Sequence, residues 1–306
     1  MSAITTPITV AKAFSPGHIT GLIGKLVTQN NSNDYLYVGS IGAGFSIDCG
    51  IKTIVEVSND KTTSYQISIN GIEVEDAEVS RWVIERYLRL IDQPHHINIK
   101  HQIGIPVGFG LGSSGSAALS LSYALNDALN IGLTKKQAAQ IAHHAEIVCN
   151  TGLGTVIAEF SGGFEMRTSI GAPGIGTIKK LKLEDHKAII LCISPISTKS
   201  FLGKHSELMS RLGEKMLDKL KVSESIDDFL NLSYEFASNL DLTKGRCKEP
   251  IECLQSHGFN CGVALFGETV FTIVPSAQTK KAKECLDIFK GNLIICNIDN
   301  VGARVL

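Results

Sequence analysis

The chemistry in this chain is concentrated in Pro106-Val-Gly-Phe-Gly-Leu-Gly-Ser-Ser-Gly-Ser-Ala-Ala-Leu119. Glycines let the backbone approach a ligand with no side chain in the way. Directly behind them Ala117, Leu121, Leu125, Ala128 and Leu129 recur at spacings of three and four, the period of a helix. A helix start leaves N–H groups unpaired and presents the positive end of its dipole. Glycine turn and helix start together make an anion site, and the usual anion is a nucleotide phosphate. Ser113, Ser114 and Ser116 add hydroxyls suited to phosphate or Mg²⁺, and the absence of Lys and Arg leaves the cradling to the backbone. The stretch is not a P-loop, since no Gly-x-x-x-x-Gly-Lys-Ser/Thr occurs. Gly110-x-Gly112-x-x-Gly115 matches a dinucleotide fingerprint only as a string, because a second helix follows instead of a strand with an acidic end. No Gly-x-Ser-x-Gly elbow passes through Ser113 or Ser114.

The elements that must hold this loop follow from pattern. Ile8 to Phe14 reads as a first strand ending in the turn Ser15-Pro-Gly-His-Ile-Thr-Gly21, which can present side chains. Val38 to Asp48 is rich in glycine and reads as a turn or substrate-lining loop before strand residues 51–57. Asn70-Gly71 signals a hairpin, Val79 to Ile91 a helix, and His96 to Ile103 a strand entering the glycine loop. Thr134 and Gln137 have capping-box spacing, and the helix they open carries His143, His144 and Glu146. A carboxylate near a helix C-terminus opposes the dipole, and Mg²⁺, which favours carboxylate and phosphate oxygens, would offset that. The segment from Lys187 reads strand, helices, two strands, helix, strand, with Gly267-Glu268 as the hairpin turn.

Pro106-x-x-x-Gly110-Leu-Gly-Ser-Ser-Gly-Ser116 resembles the second motif of the GHMP kinase superfamily. Pro16-Gly17-His18 stands where the first motif should be, and Ser15-Pro-Gly-His-Ile-Thr-Gly21 is similar to the archaeal pantoate kinases. So is the block from His143 and Glu146 through Thr151-Gly-Leu-Gly154, Gly162-Gly163, Arg167 and Gly171-Ala-Pro-Gly174. The third motif is present only as Gly258-Phe-Asn-Cys-Gly262. The resemblance implies an α+β fold of two domains, an ATP-binding domain over 1–180 and a ferredoxin-like domain over 181–306. It implies transfer of the γ-phosphoryl group of ATP, with Mg²⁺, to a primary hydroxyl of a pantoyl compound in coenzyme A biosynthesis. By carry-over Pro106, Gly108, Gly110, Leu111, Gly112, Ser113, Ser114, Gly115 and Ser116 hold the nucleotide, and Ser114 and Glu146 take the metal. Ser114, Glu146, His143 and Arg167 form the catalytic set, while Ser15, His18, Thr20, His143, Thr155 and Arg167 line the acceptor pocket. One residue departs from the pattern: the acidic residue after Thr-Gly-Leu-Gly is Thr155, and a threonine does not accept a hydroxyl proton at neutral pH. That departure tilts the expected acceptor toward pantothenate. Pantoate, a homoserine- or mevalonate-type alcohol, and a non-catalytic nucleotide-binding protein are the alternatives.

Composition narrows the classes further. A net charge of −1 argues against a nucleic-acid or anionic-membrane surface, and no apolar run is long enough to span a bilayer. The first residues lack a basic stretch followed by an apolar one, so no signal peptide is expected. Eight cysteines, scattered and mostly in apolar runs, read as buried reduced thiols and point to the cytoplasm. A homodimer is an expectation from the commonness of such assemblies alone.

Overall fold

The computed structural model describes residues 8–28, 32, 34–196 and 198–306. The chain runs β1 (Thr9–Val27), β2 (Gly39–Asn59), β3 (Ser64–Ile69), β4 (Ile72–Glu73), α1 (Glu78–Leu88), β5 (His95–Ile103), α2 (Ser113–Ala128), α3 (Lys135–Cys149), α4 (Thr155–Ser161), β6 (Phe164–Arg167) and β7 (Ile178–Leu181). It continues with β8 (His186–Pro195), α5 (Thr198–Ser223), α6 (Ile226–Asn239), α7 (Lys248–Ser256), β9 (Gly262–Val263), β10 (Gly267–Pro275), α8 (Thr279–Leu286), β11 (Asn292–Asn297) and β12 (Arg304–Val305). This is an α+β fold with two sheets. The first is ordered β12-β1-β2-β5-β3-β4, with β6 on β2 and β7 on β6. The second is ordered β11-β8-β10-β9, so the chain changes sheets between Leu181 and His186.

Two strands differ from expectation. The first does not stop at Phe14; it runs on through the Pro-Gly-His turn to Val27. It survives the proline because the register slips there, from Pro16 opposite Gly50 to Gly17 opposite Ile47. A bulge is where a strand tolerates such a residue. The glycine-rich 38–48 segment is the first half of β2, not a loop, and pairs with both β1 and β6. Its glycines make room on the sheet face: a Cβ on Gly42 would lie 2.1 Å from the Arg167 guanidinium.

Helices α1, α2 and α3 cover one side of the first sheet, where Val83, Ile84, Leu121, Leu125, Ala138 and Ala142 meet Val55, Ile97 and Ile99. The predicted capping box at Thr134 and Gln137 starts α3. A second core cluster joins the sheets, with Phe45, Ile47, Phe164 and Met166 packed among Ile190, Phe229, Phe271 and Ile298. Asn70 and Gly71 turn β3 into β4 with positive φ at both residues. At the end of the chain β12 pairs with β1, and the residues before it brace α4: Ala303 N–H donates to the Glu159 carbonyl (3.0 Å) and Gly163 N–H to the Asp299 carbonyl (2.7 Å).

Candidate functional site

The cleft lies where the first sheet, the glycine loop and the second sheet meet. Its walls are His18 and Thr20 of β1, Ser40 of β2, Gly108 to Ser114, Thr151 to Thr155, Arg167 of β6, and Leu265 and Phe266.

The glycine loop is held from both sides. Toward the first sheet, His18 N–H donates to the Leu111 carbonyl (3.0 Å) and Ser116 Oγ to the Pro16 carbonyl (2.7 Å). Toward the second, Ile196 N–H donates to the Gly108 carbonyl (3.0 Å) and Thr269 Oγ1 to the Phe109 carbonyl (2.8 Å). Gly112 precedes α2 with φ +72°, a left-handed conformation that glycine adopts without strain. No side chain caps α2, so its first N–H groups remain available. Ser114 Oγ donates to Glu146 Oε1 at 2.6 Å. Burial pushes the Glu146 carboxyl up to about 7, although the Ser114 and Thr151 side chains pull the other way.

Across the cleft sits a buried charged triad. Glu165 Oε1 accepts from Arg167 Nη1 (2.6 Å) and from His18 Nε2 (3.0 Å). A carboxylate has only acceptors, so it fixes the His18 hydrogen on Nε2 and leaves Nδ1 bare. Burial lowers the His18 pKa more than Glu165 restores it, and the imidazole is neutral. Nδ1 lies 3.4 Å from Thr20 Oγ1. Arg167 spends one N–H on Glu165, while its Nε and the neighbouring Ser40 Oγ are buried without a hydrogen-bond partner among the described residues. Both face the Gly154 backbone, with an ideal Cβ there 3.1 Å from Nε and 2.7 Å from Ser40 Oγ. A buried cationic N–H and a hydroxyl side by side are what a carboxylate binds.

Of the residues predicted for the nucleotide, Gly108, Gly110, Leu111, Gly112, Ser113 and Ser114 line the cleft. Pro106, Gly115 and Ser116 stand outside its lining, and Ser116 ties the loop to β1. Glu146 lies behind the lining, reached through Ser114. Of the residues predicted for the acceptor, His18, Thr20, Thr155 and Arg167 line the same cleft. Ser15 is fully buried and does not. His143 is not brought into the cleft. Its Nε2 bonds the Tyr35 and Val38 carbonyls (3.2 and 3.1 Å), and burial lowers its pKa to about 4. It positions the start of β2 instead of meeting a substrate. Gly258 to Gly262 also lies apart; the second sheet reaches the cleft through Leu265 and Phe266.

Sequence reasoning passed over Ser40, Glu159 and Glu165. Glu165 had a signal, since it and Arg167 fall on one face of a strand as i and i+2. Glu159 is one helical turn beyond Thr155. Its Oε1 accepts from Ser116 Oγ (2.9 Å), Oε2 has no partner, and burial holds its carboxyl well above the usual range. Nothing in its local pattern separates it from a solvated helix position.

The chain is similar to several known proteins. The GHMP kinases N terminal domain family matches residues 78–163. The pantoate kinase of Methanocaldococcus jannaschii is 34% identical over 93% of this chain and 99% of its own. That of Thermococcus kodakarensis is 29% identical over 90% and 91%. A solved structure described as a phosphotransferase related to the CoA biosynthesis pathway superposes with a TM-score of 0.88 at 27% identity, covering 97% of this chain and 98% of the other. Among the described residues no helix is long and apolar enough to cross a membrane.

Proposed function

The chain belongs to the GHMP kinase family and is an ATP-dependent phosphotransferase, and we propose that the alcohol it phosphorylates is pantoate, at the primary hydroxyl. The observation that carries this reading is the enclosed pair of Arg167 Nε and Ser40 Oγ, both without a hydrogen-bond partner among the described residues. Pantoate offers a free carboxylate close to its reacting hydroxyl. Pantothenate has an amide at that place, which does not match a buried guanidinium. The tilt toward pantothenate drew on Thr155, which lies beside Gly112, where its γ-methyl would be 2.8 Å from a Cβ. It bears on phosphoryl transfer and not on the carboxylate, so the acceptor follows Arg167.

The cleft's residues divide the work. The loop backbone from Gly110 to Ser114 and the first N–H groups of α2 take the phosphates. The half-buried Ser114 hydroxyl and the buried Glu146 carboxyl are an all-oxygen pair beside that loop and fit Mg²⁺. Ser114 and Glu146 would hold the ion, which supplies charge neutralisation to the phosphates when bound. Arg167 and Ser40 orient the acceptor carboxylate, and His18 Nδ1 accepts the hydrogen bond of its hydroxyl. The hydroxyl oxygen attacks the γ-phosphorus in line, the bond from that phosphorus to the β,γ-bridging oxygen breaks, ADP leaves, and the hydroxyl proton passes to an oxygen of the transferred phosphoryl group. Such transfer depends chiefly on position and charge, so Thr155 in place of an acid is compatible with turnover.

Release of ADP from Mg-ATP with pantoate, pantothenate, homoserine or mevalonate tests the assignment. Preference for pantoate is expected. Arg167→Gln should raise the KM for pantoate by roughly 10- to 100-fold, one charge-assisted hydrogen bond, and leave the KM for ATP within a few-fold. A clear preference for pantothenate, or an unchanged pantoate KM in Arg167→Gln, would overturn it.

A further inference from the structure

Away from the phosphate and carboxylate subsites, two thiols meet at the junction of the sheets. Ile47 of β2 bridges Ile298, just past β11, in antiparallel register. Asp299 N–H donates to the Ser46 carbonyl at 2.9 Å in that same register. One step the other way, Asn297 N–H donates to Asp48 Oδ1 at 3.0 Å, and the Asn297 amide reaches Asp48 Oδ2. One position further along each segment stand Cys49 and Cys296. The two Sγ atoms and the Asp48 carboxylate lie within 4.8 Å of one another.

We propose that Cys49 and Cys296 are a disulfide-forming pair that ties the first sheet to the second. Their sulfurs already lie within 4.8 Å of one another, so a small strand shift gives disulfide geometry. Cys49 is the entry point. It is partly exposed, whereas Cys296 is buried and its thiol leans on the Ala188 carbonyl. The Cys296 thiol lowers the Cys49 pKa to about 7, which gives Cys49 thiolate character at neutral pH. Asp48 is already engaged by Asn297, so the cluster is arranged for a thiol pair and not for a cation.

The oxidant is a low-molecular-weight disulfide such as oxidised glutathione. The Cys49 thiolate attacks one of its sulfurs, breaks its S–S bond and releases one small thiol. Cys296 gives up its proton and attacks the Cys49 sulfur of the mixed disulfide, releasing the second. Two protein thiols lose two electrons, and the small disulfide gains them. Asp48 and Cys49 are the extra residues of the β2 bulge opposite Pro16 and Gly17, so the link would fasten the second sheet to the base of the His18 turn.

The full chain is equilibrated with oxidised glutathione and quenched by alkylation in denaturant. Intact mass should show six alkylated thiols out of eight cysteines and no added glutathione. Tryptic mapping should find fragment 26–52 joined to 291–304. Cys49→Ser should leave all seven remaining thiols open to alkylation, whereas Cys296→Ser, which lacks the resolving thiol, should hold one glutathione on Cys49. The urea midpoint of the wild type, but of neither variant, should rise on oxidation and fall back with reductant. In the wild type, eight alkylated thiols, a stable glutathione adduct on Cys49, or a link confined to Cys253 and Cys285 would overturn the proposal. Those last two thiols approach each other beside His257 and serve as the internal comparison.

Discussion

Binding of a magnesium nucleotide at neutral pH should expel a proton, and Glu146→Gln should abolish the release. Glu146 is 2% exposed, and burial raises its carboxyl from 4.5 to about 7. At pH 7 about half of the ligand-free molecules therefore carry the proton. A divalent cation on that carboxylate needs the ionised form, so occupancy should fall toward zero and about half a proton per site should leave. The rise from 4.5 to about 7 corresponds to roughly 3 kcal/mol. Its sign follows from linkage. The folded protein holds this proton more tightly than the unfolded chain, so Glu146 costs nothing below pH 4.5 and progressively destabilises the ligand-free fold up to pH 7. Calorimetric titration with a non-hydrolysable Mg-nucleotide, in two buffers of different ionisation enthalpy, reads the proton count. The count should approach zero at pH 8.5, where the carboxyl is already ionised. Glu159→Gln is the control, because Glu159 is also buried and raised but touches Ser116 and not Ser114, and it should keep the release. Zero release or proton uptake by the wild type at pH 7, or undiminished release in Glu146→Gln, would refute the reasoning.

Gly112→Ala would set a Cβ 2.4 Å from Glu159 Oε1 at a φ of +72°. A loss of about 2–4 kcal/mol in denaturant unfolding and a fall in kcat/KM for ATP are expected, from left-handed strain plus overpacking. Glu165→Ala leaves the Arg167 guanidinium buried without its carboxylate and should cost about 3–5 kcal/mol by thermal unfolding; a loss under 1 kcal/mol would mean the triad is not an ionic unit. Thr155→Val should keep kcat within about tenfold, since a residue needed for general-base transfer would cost about 10²–10⁴-fold. His143→Gln should lower the unfolding midpoint yet leave the pantoate KM within a few-fold, because its ring bonds two carbonyls outside the cleft.

How far the chain could be read depended on what each residue answers to. The phosphate loop was legible because Gly112 and the serines behind it answer to local rules, a left-handed turn and a helix start. Thr134 and Gln137 were legible for the same reason. Gly39 to Asp48 was not. Glycines usually break strands, and here they serve a long-range need, space over the sheet for Arg167, which no window of sequence contains. The strand through Pro16 was misjudged because the bulge that admits proline is made by residues 48 and 49 of another strand. His143 sits in a block that resembles a family's acceptor site, but its role is set by two carbonyls more than a hundred positions away. Glu165 stood in view as the same-face neighbour of Arg167, and reading that pair as an ion pair would have found it.

The last residues of the chain have a bearing on when the enzyme becomes one. Strand β12 closes on β1, Asp299 to Ala303 brace the far end of the helix that begins at Thr155, and the second sheet props the phosphate loop at Gly108 and Phe109. During synthesis residues 78–163 emerge well before any of these supports. A nascent chain can thus lay down β1 to β5 and still lack a finished cleft. Nucleotide affinity should arise late and abruptly, once residues 299–305 have been made and packed, and a fragment ending before residue 299 should not possess it.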